Sequence, residues 1–406
     1  ATTTMGRRAV GSGRSRPGAC ACEGQRLQQQ QGRRLGRPKA PLFEARRAGD
    51  LAPALRASAS GNATEATSAI DWDNLGFSSE HVPKTQMFLA TATRDPATQE
   101  WVWEEEPVQP YRTLTLDPSA QVLNYGQSIF EGMKAHRTAE GRLVLFRPGE
   151  NAARMANGAS RMSMAPPPKD LFLRGVEEVV RANAQFVPPN GKGSLYLRPL
   201  LLGTGAILGL GPAPSYTFLI YCSPVGGYFK GGQLTPIRLK VEETFHRAAP
   251  GGTGNTKCAG NYSPVLSVQL QAKEQGFSDV LYLDAVENKY VEEVSSCNIF
   301  AVFGKKLVTP QLGTILPGVT RKSIIDLARS KGFEVEERPL SIDEVLTADE
   351  VFTCGTAVVV SPVGFIEHGG KSRTFCEDGP DGSPIPGPVA LDLYQSLTGI
   401  QQQSRE

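Results

Sequence analysis

Lys257 lies in a glycine-rich segment, and a tyrosine follows it five residues later. The segment, residues 251–262, reads Gly-Gly-Thr-Gly-Asn-Thr-Lys-Cys-Ala-Gly-Asn-Tyr. Glycines on both sides of a lysine indicate a tight turn at which the backbone can approach a bound molecule closely. The amine of Lys257 and the phenol of Tyr262 are two groups that a pyridoxal phosphate site needs, one for a Schiff base and one for the ring oxygen. A solvated surface turn has the same local pattern, so this segment predicts a site only in combination with others.

Two adjacent glutamates stand in an apolar segment further along the chain. Residues 290–300 read Tyr-Val-Glu-Glu-Val-Ser-Ser-Cys-Asn-Ile-Phe. A carboxylate set among apolar strand residues is costly unless it meets a cation. A protonated pyridine nitrogen is such a cation, and a carboxylate beside it keeps the proton in place. The alternative is a hairpin that carries two solvated glutamates.

Three other segments have residue types that bind anions. Leu316-Pro317-Gly318-Val319-Thr320-Arg321 leads into a predicted helix, whose first N–H groups would suit a phosphate. The Gly-Thr turn in residues 352–357 offers hydroxyl and amide donors, and Arg147 offers a guanidinium that binds phosphate bidentately. Taken singly, each pattern also fits an ordinary helix start, turn or surface arginine.

These segments occur together with Phe130-Glu131-Gly132-Met133-Lys134 and Tyr196-Leu197-Arg198-Pro199. In this order the chain, from about Asp71 to Pro362, resembles the branched-chain-amino-acid aminotransferases of the fold-type IV pyridoxal phosphate enzymes. The resemblance implies an α+β fold like that of D-amino-acid aminotransferase, with two α/β domains and the cofactor between them. Other fold-type IV enzymes, the D-amino-acid aminotransferases and aminodeoxychorismate lyases, share the lysine and the glutamate and are the alternative function.

The resemblance implies a role for each matching residue. Lys257 would be the Schiff-base lysine and proton carrier, Glu293 the partner of the pyridine nitrogen and Tyr262 the donor to the ring oxygen. The phosphate would be held by a second set, with Arg247 close by: Arg147, Val319, Thr320 and Thr356. The substrate would be bound by a third set, in which Ser296 also contacts the cofactor and, with the Ala357 amide, receives the carboxylate: Tyr125, Phe130, Tyr196, Arg198, Tyr228, Ser296 and Ala357.

The expected reaction follows from the same resemblance. It is a reversible ping-pong transamination of L-leucine, L-isoleucine or L-valine with 2-oxoglutarate, by a homodimer. Aromatic walls suit an aliphatic side chain, because burying each methylene gains about 0.8 kcal/mol. Arg198 and the tyrosine hydroxyls could also accommodate glutamate. Some animal members have a Cys-x-x-Cys pair after the Gly-Thr turn, whereas this chain has Ala357-Val358-Val359-Val360, so a thiol switch there is not expected.

Charge is distributed unevenly along the 406 residues. Residues 1–60 contain twelve basic and three acidic residues, whereas the remainder contains 31 basic and 38 acidic ones. An Arg-rich, acid-poor leader without a long apolar segment is typical of an organelle transit peptide, here predicted as disordered and plastid-directed, with the mitochondrion as alternative. A polyanion-binding arm is the other interpretation. The acidic remainder gives no reason to expect nucleic-acid binding.

Cysteine and histidine usage indicates neither a disulfide framework nor a metal centre. Seven cysteines without paired spacing favour a reducing compartment. The four histidines form no cluster with cysteine at metal-ligand spacing. The most apolar stretch, residues 195–210, is interrupted by Arg198, Pro199 and glycines, so no membrane span is predicted.

The elements that must position these residues are predicted in two domains. A small domain covers residues 61–224, a Gly/Pro-rich linker covers 225–236, and a large cofactor-binding domain covers 237–406. Antiparallel sheets with segregated helices are expected. The elements that bear on the site are strands 111–116, 237–242 and 298–303, helices 151–162 and 320–330, and a surface loop over 368–388.

Overall fold

The first sheet of the protein is built from residues 86–225. The computed structural model describes residues 70–227, 234–380 and 382–405. The sheet has seven strands in the order β2-β1-β7-β6-β4-β5, with β3 paired to β6. Its strands are β1 (Gln86–Arg94), β2 (Trp101–Pro110), β3 (Ser128–Phe130), β4 (Met133–Arg137), β5 (Leu143–Leu145), β6 (Ser194–Gly203) and β7 (Ser215–Val225). Each of its strand pairings is antiparallel, as predicted.

Helices cover this sheet and give it a core of its own. The helices in this part of the chain are α1 (Gln121–Tyr125), α2 (Pro148–Arg161) and α3 (Lys169–Ala182). Phe172 of α3 stacks on Phe218 of β7 with ring centroids 5.7 Å apart. Gly175 allows α3 to approach closely, because a Cβ there would lie 2.9 Å from the Phe88 ring. The aliphatic and aromatic side chains of α3 and β7 therefore form one packed layer.

The second sheet has nine strands in the order β10-β9-β8-β15-β14-β11-β12-β13, with β16 paired to β15. Its strands are β8 (Ile237–Glu242), β9 (Asp279–Leu283), β10 (Val291–Val294), β11 (Asn298–Phe303), β12 (Lys306–Thr309), β13 (Glu334–Glu337), β14 (Glu350–Gly355), β15 (Val359–His368) and β16 (Lys371–Thr374). The helices of this part are α4 (Val265–Glu274), α5 (Val319–Ser330), α6 (Ile342–Val345) and α7 (Pro388–Gln401). The α+β class and the strands predicted over 237–242 and 298–303 are confirmed.

The expectation of antiparallel sheets is wrong for part of this second sheet. Strand β8 pairs in parallel with β9 and β15, and β12 pairs in parallel with β13. Parallel neighbours need a long crossover connection. Helix α4 supplies it between β8 and β9, and α5 supplies it between β12 and β13. The first of these crossovers also contains Lys257.

Other elements differ from the predictions. Residues 111–116 form no strand, because the pairing partner of β1 is β2, which ends at Pro110. The segment 368–388 is not wholly a loop, since β16 pairs with the end of β15 across Gly369 and Gly370. Helix α2 begins at Pro148, earlier than predicted, because proline with its fixed φ suits the first helical position. Helix α5 matches the predicted helix apart from its start one residue earlier, at Val319.

All described residues belong to one compact unit. Within the described ranges, no helix is long and apolar enough to cross a membrane. The same residues contain no group of three His, Cys, Asp or Glu side chains placed to hold a metal ion. The predicted leader, residues 1–60, and Tyr228 lie outside the part of the chain that the structure describes.

Candidate active site

The Lys257 loop is joined to the first sheet through β3. The Phe130 N–H donates to the carbonyl of Lys257 at 3.0 Å, and Ile129 forms an isolated bridge with Cys258. These contacts bring Lys257, which lies on the β8–β9 crossover, against the Phe130–Lys134 motif. The loop between two strands of one sheet is thus fixed by a strand of the other.

The amine of Lys257 lies among aromatic groups. Its Nζ donates to Tyr262 Oη at 3.1 Å and lies 4.7 Å from the centre of the Phe130 ring. The side chain is partly accessible, yet protein atoms surround it closely enough that burial lowers the pKa of Lys257 to about 8. A neutral amine is the nucleophilic form, so this environment activates Lys257 near neutral pH.

Glu293 is buried in β10 at 2% exposure. It forms an ion pair with Arg247 and accepts the Leu316 N–H at 3.0 Å. Burial raises the pKa of Glu293 to about 7, although Arg247 lowers it. Its neighbour Glu292 accepts from the Thr314 hydroxyl, and burial also raises the pKa of Glu292. One arginine therefore faces two buried carboxylates, and the negative charge at Glu293 is only partly compensated.

The N-terminus of α5 has the features of an anion site. Gly318 precedes the helix in an extended conformation, with no side-chain cap and no acidic residue in the first turn. The first N–H groups of such a helix and its dipole favour an anion. Arg147 reaches α5 from the start of α2, where its Nη1 donates to Ser323 Oγ at 3.1 Å. Its φ of 50° is unusual for a residue other than glycine.

The Gly-Thr turn between β14 and β15 is held by the first sheet. Thr356 Oγ1 donates to the Gly132 carbonyl at 3.2 Å, and Lys134 Nζ donates to the Ala357 carbonyl at 2.8 Å. Val359, which opens β15, has a φ of 61°, an outlier for a β-branched residue. Strain of this kind persists where the surroundings over-determine the backbone, which is common at ligand-binding sites.

Aromatic side chains and one arginine form a wall beside Lys257. The Phe130 and Tyr262 rings meet edge to face at 5.0 Å. Arg198 lies over Phe130 at 4.9 Å, and its Nη2 donates to Tyr196 Oη at 3.3 Å. Gly132 leaves room for this hydroxyl, since a Cβ there would lie 2.2 Å from it. The wall is apolar with a polar edge.

The structure brings most of the predicted residues into this group. Tyr125 contacts the loop after β6 instead, where its hydroxyl donates to the Leu208 carbonyl at 3.1 Å, and it is 47% exposed. Ser296 is exposed on the turn between β10 and β11. Arg247, expected close to the phosphate, lies against Glu293 and above the Tyr262 ring at 6.0 Å.

Sequence reasoning gave no role to three polar groups at this site. Glu131 is fully buried and bonded by Arg154, and Lys134 holds the Gly-Thr turn. Asn298 donates to Glu293 at 3.3 Å and to the Leu316 carbonyl at 3.0 Å. The signal that could have found Glu131 is its position inside the Phe-Glu-Gly-Met-Lys motif, as a charged residue between apolar ones.

A cavity of about 600 Å³ borders this group between α2 and α5. It shares Arg154, Thr256 and Val319 with the surroundings of Lys257, but Lys257 and Glu293 do not line it. Several of its charged residues form ion pairs, such as Lys322 with Glu150 at 2.7 Å. The amine and the strained backbone lie at Lys257 and the Gly-Thr turn, so the candidate site is centred there, and the cavity borders it at the start of α5.

Comparisons with known proteins agree with this geometry. Residues 128–366 match the class IV amino-transferase family. The chloroplastic branched-chain amino acid aminotransferase 2 of Humulus lupulus is 55% identical over 82% of this chain and 78% of its own length. The chloroplastic branched-chain-amino-acid aminotransferase 5 of Arabidopsis thaliana is 53% identical, over 82% and 77%.

Solved structures of lower identity have the same fold. A branched-chain amino acid aminotransferase from T.th., solved with pyridoxamine 5'-phosphate, superimposes with a TM-score of 0.64 at 27% identity, covering 79% of this chain and 95% of that one. The Escherichia coli branched-chain amino acid aminotransferase gives a TM-score of 0.64 at 28% identity, over 79% and 96%. The fold and the site define a class IV aminotransferase, a pyridoxal phosphate enzyme. Within that class, the chain belongs to the branched-chain-amino-acid aminotransferase family.

Proposed function

We propose that this protein interconverts L-leucine, L-isoleucine or L-valine and 2-oxoglutarate with the branched-chain 2-oxo acid and L-glutamate. The observation that carries the proposal is the amine of Lys257, which burial brings to a pKa of about 8 beside Tyr262 and Phe130. Relatives at about half sequence identity that are named branched-chain aminotransferases support the same reaction.

The described residues fit pyridoxal phosphate. Glu293 is a buried carboxylate with a raised pKa, and a protonated ring nitrogen beside it would stabilise its charge. No side chain caps the N-terminus of α5, so its first N–H groups can donate to a phosphate. Arg147, which bonds Ser323 in the second turn of α5, offers further donors. When bound, the cofactor supplies an electron-withdrawing ring and a carbonyl carbon that accepts the amino group.

The protein residues would then have distinct tasks. Lys257 would attach the cofactor and move the proton at the substrate α-carbon, while Glu293 keeps the ring nitrogen protonated. Tyr262 would donate to the ring oxygen. The phosphate would be held by the Val319 and Thr320 amides, Thr356 and Arg147. Arg247 would act on the cofactor by orienting Glu293, its ion-pair partner.

Substrate binding would use the turn and the aromatic wall. The Ala357 amide, on a turn that Lys134 and Gly132 hold in place, would receive the carboxylate together with Ser296 from the turn between β10 and β11. Phe130, Tyr196 and Arg198 would surround the side chain, and the sequence resemblance alone proposes Tyr125 and Tyr228 for the same pocket. The apolar rings suit a branched aliphatic chain, and Arg198 offers a partner to the second carboxylate of glutamate.

A half-reaction tests this proposal. Purified protein loaded with pyridoxal phosphate is mixed with L-leucine, D-alanine or aminodeoxychorismate, and the visible cofactor band is followed. We expect L-leucine alone to bleach the band, and 2-oxoglutarate to restore it with formation of glutamate. Bleaching by D-alanine, or pyruvate release from aminodeoxychorismate, with no response to L-leucine would overturn the proposal in favour of another fold-type IV enzyme.

We also propose that the protein is a homodimer. Helix α1 contacts the loop after β6 through a hydrogen bond from Gln121 to the Gly209 carbonyl. Both segments carry exposed leucines: Leu123 on α1, and Leu208 (87% exposed) and Leu210 on the loop. A clustered apolar surface of this kind indicates an interface. Light scattering should give twice the chain mass for the wild type and a monomer for L208D/L210D. A monomeric wild type would contradict this proposal.

The remaining proposals concern the domains and the destination of the chain. Each sheet has its own core, which supports a small domain over 61–224, a linker over 225–236 and a large domain over 237–406. Limited proteolysis should therefore cut first within 225–236.

The Arg-rich leader, together with chloroplastic and mitochondrial relatives, supports import into a plastid, with the mitochondrion as alternative. Imaging residues 1–70 fused to a fluorescent protein distinguishes the two.

A further inference from the structure

The turn between β10 and β11 carries two adjacent serines with different surroundings. Ser296, which is proposed above to receive the substrate carboxylate, is exposed on this turn. Ser295 beside it is buried, with 2% exposure. The Val294 N–H donates to the Cys297 carbonyl at 3.0 Å and closes the base of the turn. The tip of the turn, which lies beyond this bond, is held through the side chain of Ser295.

The partner of Ser295 is the carboxylate of Asp279. Ser295 Oγ donates to Asp279 Oδ1 at 2.5 Å. A hydroxyl that donates to a carboxylate forms a charge-assisted bond, which is roughly twice as strong as a neutral one. The same oxygen accepts the Val280 N–H at 2.8 Å and the side-chain amide of Gln269 at 3.1 Å. Three donors on one oxygen fix the orientation of the carboxylate, and the carboxylate in turn fixes the Ser295 side chain.

The register of β9 explains why Asp279 reaches this turn. Strand β9 is antiparallel to β10, and Leu281 pairs with Val294 at the end of β10. Asp279 is the first residue of β9, two positions before Leu281, so it lies beyond the end of β10 and next to the turn. Burial raises the pKa of the Cys297 thiol to about 12, and the negative charge of Asp279 contributes to this rise. The carboxylate therefore faces the turn that presents Ser296.

Helix α4 joins Asp279 to the segment that carries Lys257. The helix begins at Val265, shortly after the Lys257 loop, and Gln269 lies in its middle. Gln269 and Ser295 bond the same oxygen of Asp279, so this helix and the turn that presents Ser296 are tied to one atom. Asp279 is consequently placed to keep the turn in register with the segment that provides the amine.

We propose that Asp279 is a positioning residue for the aminotransferase reaction, which holds Ser296 in place for the substrate carboxylate through its bond to Ser295. The inference rests on the proposed function, because it requires that Ser296 binds the substrate. An aspartate that only stabilised the end of a strand would contribute to folding and would have no coupling to Ser296.

The test measures KM and kcat for L-leucine with the full-length enzyme loaded with pyridoxal phosphate. S296A removes the proposed contact, so we expect its KM to rise about 10-fold or more, as for a lost bond to a charged group. S295A and D279A break one hydrogen bond from its two ends, and each should raise KM by roughly 3- to 10-fold. We expect kcat to change much less, because a carboxylate contact is made equally in the ground state and the transition state.

Three further variants separate positioning from a merely structural role. In D279A/S296A we expect no rise in KM beyond that of S296A, because the group to be positioned is already absent. D279N keeps an oxygen that accepts from Ser295, so its KM should stay within about twofold of the wild type. D349A is the matched control: Asp349 accepts the Gly304 N–H at 2.7 Å after the opposite end of β11, and its loss should leave KM unchanged.

An unchanged KM in S295A would overturn the inference, and so would a D279A effect that persists in full in the S296A background. S295A differs from the wild type by one oxygen atom, so it keeps the test decisive if D279A does not fold. Failure of the proposed function has a different result. A wild-type enzyme whose cofactor band does not respond to L-leucine would overturn that function, whatever the variants do.

Discussion

The two buried arginine–glutamate pairs around Lys257 differ in how completely they are bonded. Each nitrogen of the Arg154 guanidinium has an acceptor, two on Glu131 and one on Pro317. In the Arg247–Glu293 pair, Glu293 accepts from the Leu316 N–H and the Asn298 amide, but within the described residues Arg247 has no hydrogen-bond partner for Nε. The pKa of Glu293 stays raised, at about 7, in spite of Arg247.

This difference separates two kinds of task. A buried pair with all its groups bonded is complete within the protein and can position its neighbours. A buried carboxylate that is only partly compensated is costly by itself and suits a bound cation. Glu131 therefore belongs to the framework of the site, and Glu293 to the part that meets the cofactor. Four variants can break or sharpen this comparison.

Removing the Lys257 amine should reduce activity more than any other substitution. For K257A we expect a loss of activity of at least about 10⁴-fold, since the nucleophile and the proton carrier are both lost. A leucine and 2-oxoglutarate assay measures it, and the visible spectrum should lose the protein-bound band. K273A, which changes an exposed lysine on α4, should keep full activity. Residual activity of a tenth in K257A would refute the role.

Neutralising Glu293 should have the next largest effect. E293Q keeps the shape but not the charge, so we expect a loss of about 10²–10³-fold in kcat, typical of a lost electrostatic group. The comparison predicts a smaller loss for E131Q, because Glu131 is already bonded on both oxygens by Arg154. Equal losses in the two variants would abolish the distinction between framework and cofactor contact.

The raised pKa of Glu293 predicts that the stability of the apoprotein depends on pH. Its folded-state pKa of about 7 lies above the ordinary value of 4.5, so the native state binds more protons between these values. Its contribution to stability is therefore full below about pH 4.5 and is lost as the pH rises through 7. Urea unfolding at pH 5 and pH 8 should show a smaller decline in stability for E293Q than for the wild type.

Arg147 should matter for cofactor affinity more than for stability. It is partly exposed, as is its ion-pair partner Asp326, so the pair contributes at most about 1 kcal/mol to folding. Loss of a charge-assisted contact to phosphate in R147M should raise the cofactor dissociation constant by roughly 10-fold or more. R174M, which breaks an exposed pair with Glu105 on the first sheet, is the control and should leave affinity unchanged.

The smallest effect on cofactor affinity is expected at Gly318, in the turn before α5. A Cβ at Gly318 would lie 2.2 Å from Asn298 Oδ1, and Asn298 bonds both Glu293 and Leu316. G318A should weaken cofactor binding several-fold, to about 10-fold, by displacing this side chain. G260A is the control, since nothing lies within 4 Å of a Cβ there. Unchanged affinity in G318A would mean that the Asn298 contact is dispensable.

Local signals accounted for much of the fold. Residues 237–242 and 298–303 are predicted as strands, and the structure confirms both. The alternation of residues 111–116 predicts a strand, but the structure has its strand at β2, because pairing with β1 decides between the two neighbouring segments. The parallel pairing of β8 with β9 was also missed, since the direction of a neighbour is decided by the long crossover between them.

At the site, too, local sequence signals predicted some features and tertiary contacts decided the others. Lys257 and Tyr262 share one loop, so the sequence could single out both, and the structure shows that their side chains meet. Arg154 and Glu131 are 23 positions apart and on different elements, so no pattern joined them. Arg247 was placed near the phosphate, whereas the folded chain directs its guanidinium to Glu293.

The sequence by itself determined which chemical groups this protein has and the family to which it belongs, because these depend on residue types and their order along the chain. Only the tertiary structure decided how those groups are charged and held. The pKa values of Lys257 and Glu293 come from burial and from arginines on other elements. Burial and non-local charge exist only when the two sheets bring distant segments together, so no local pattern can contain them.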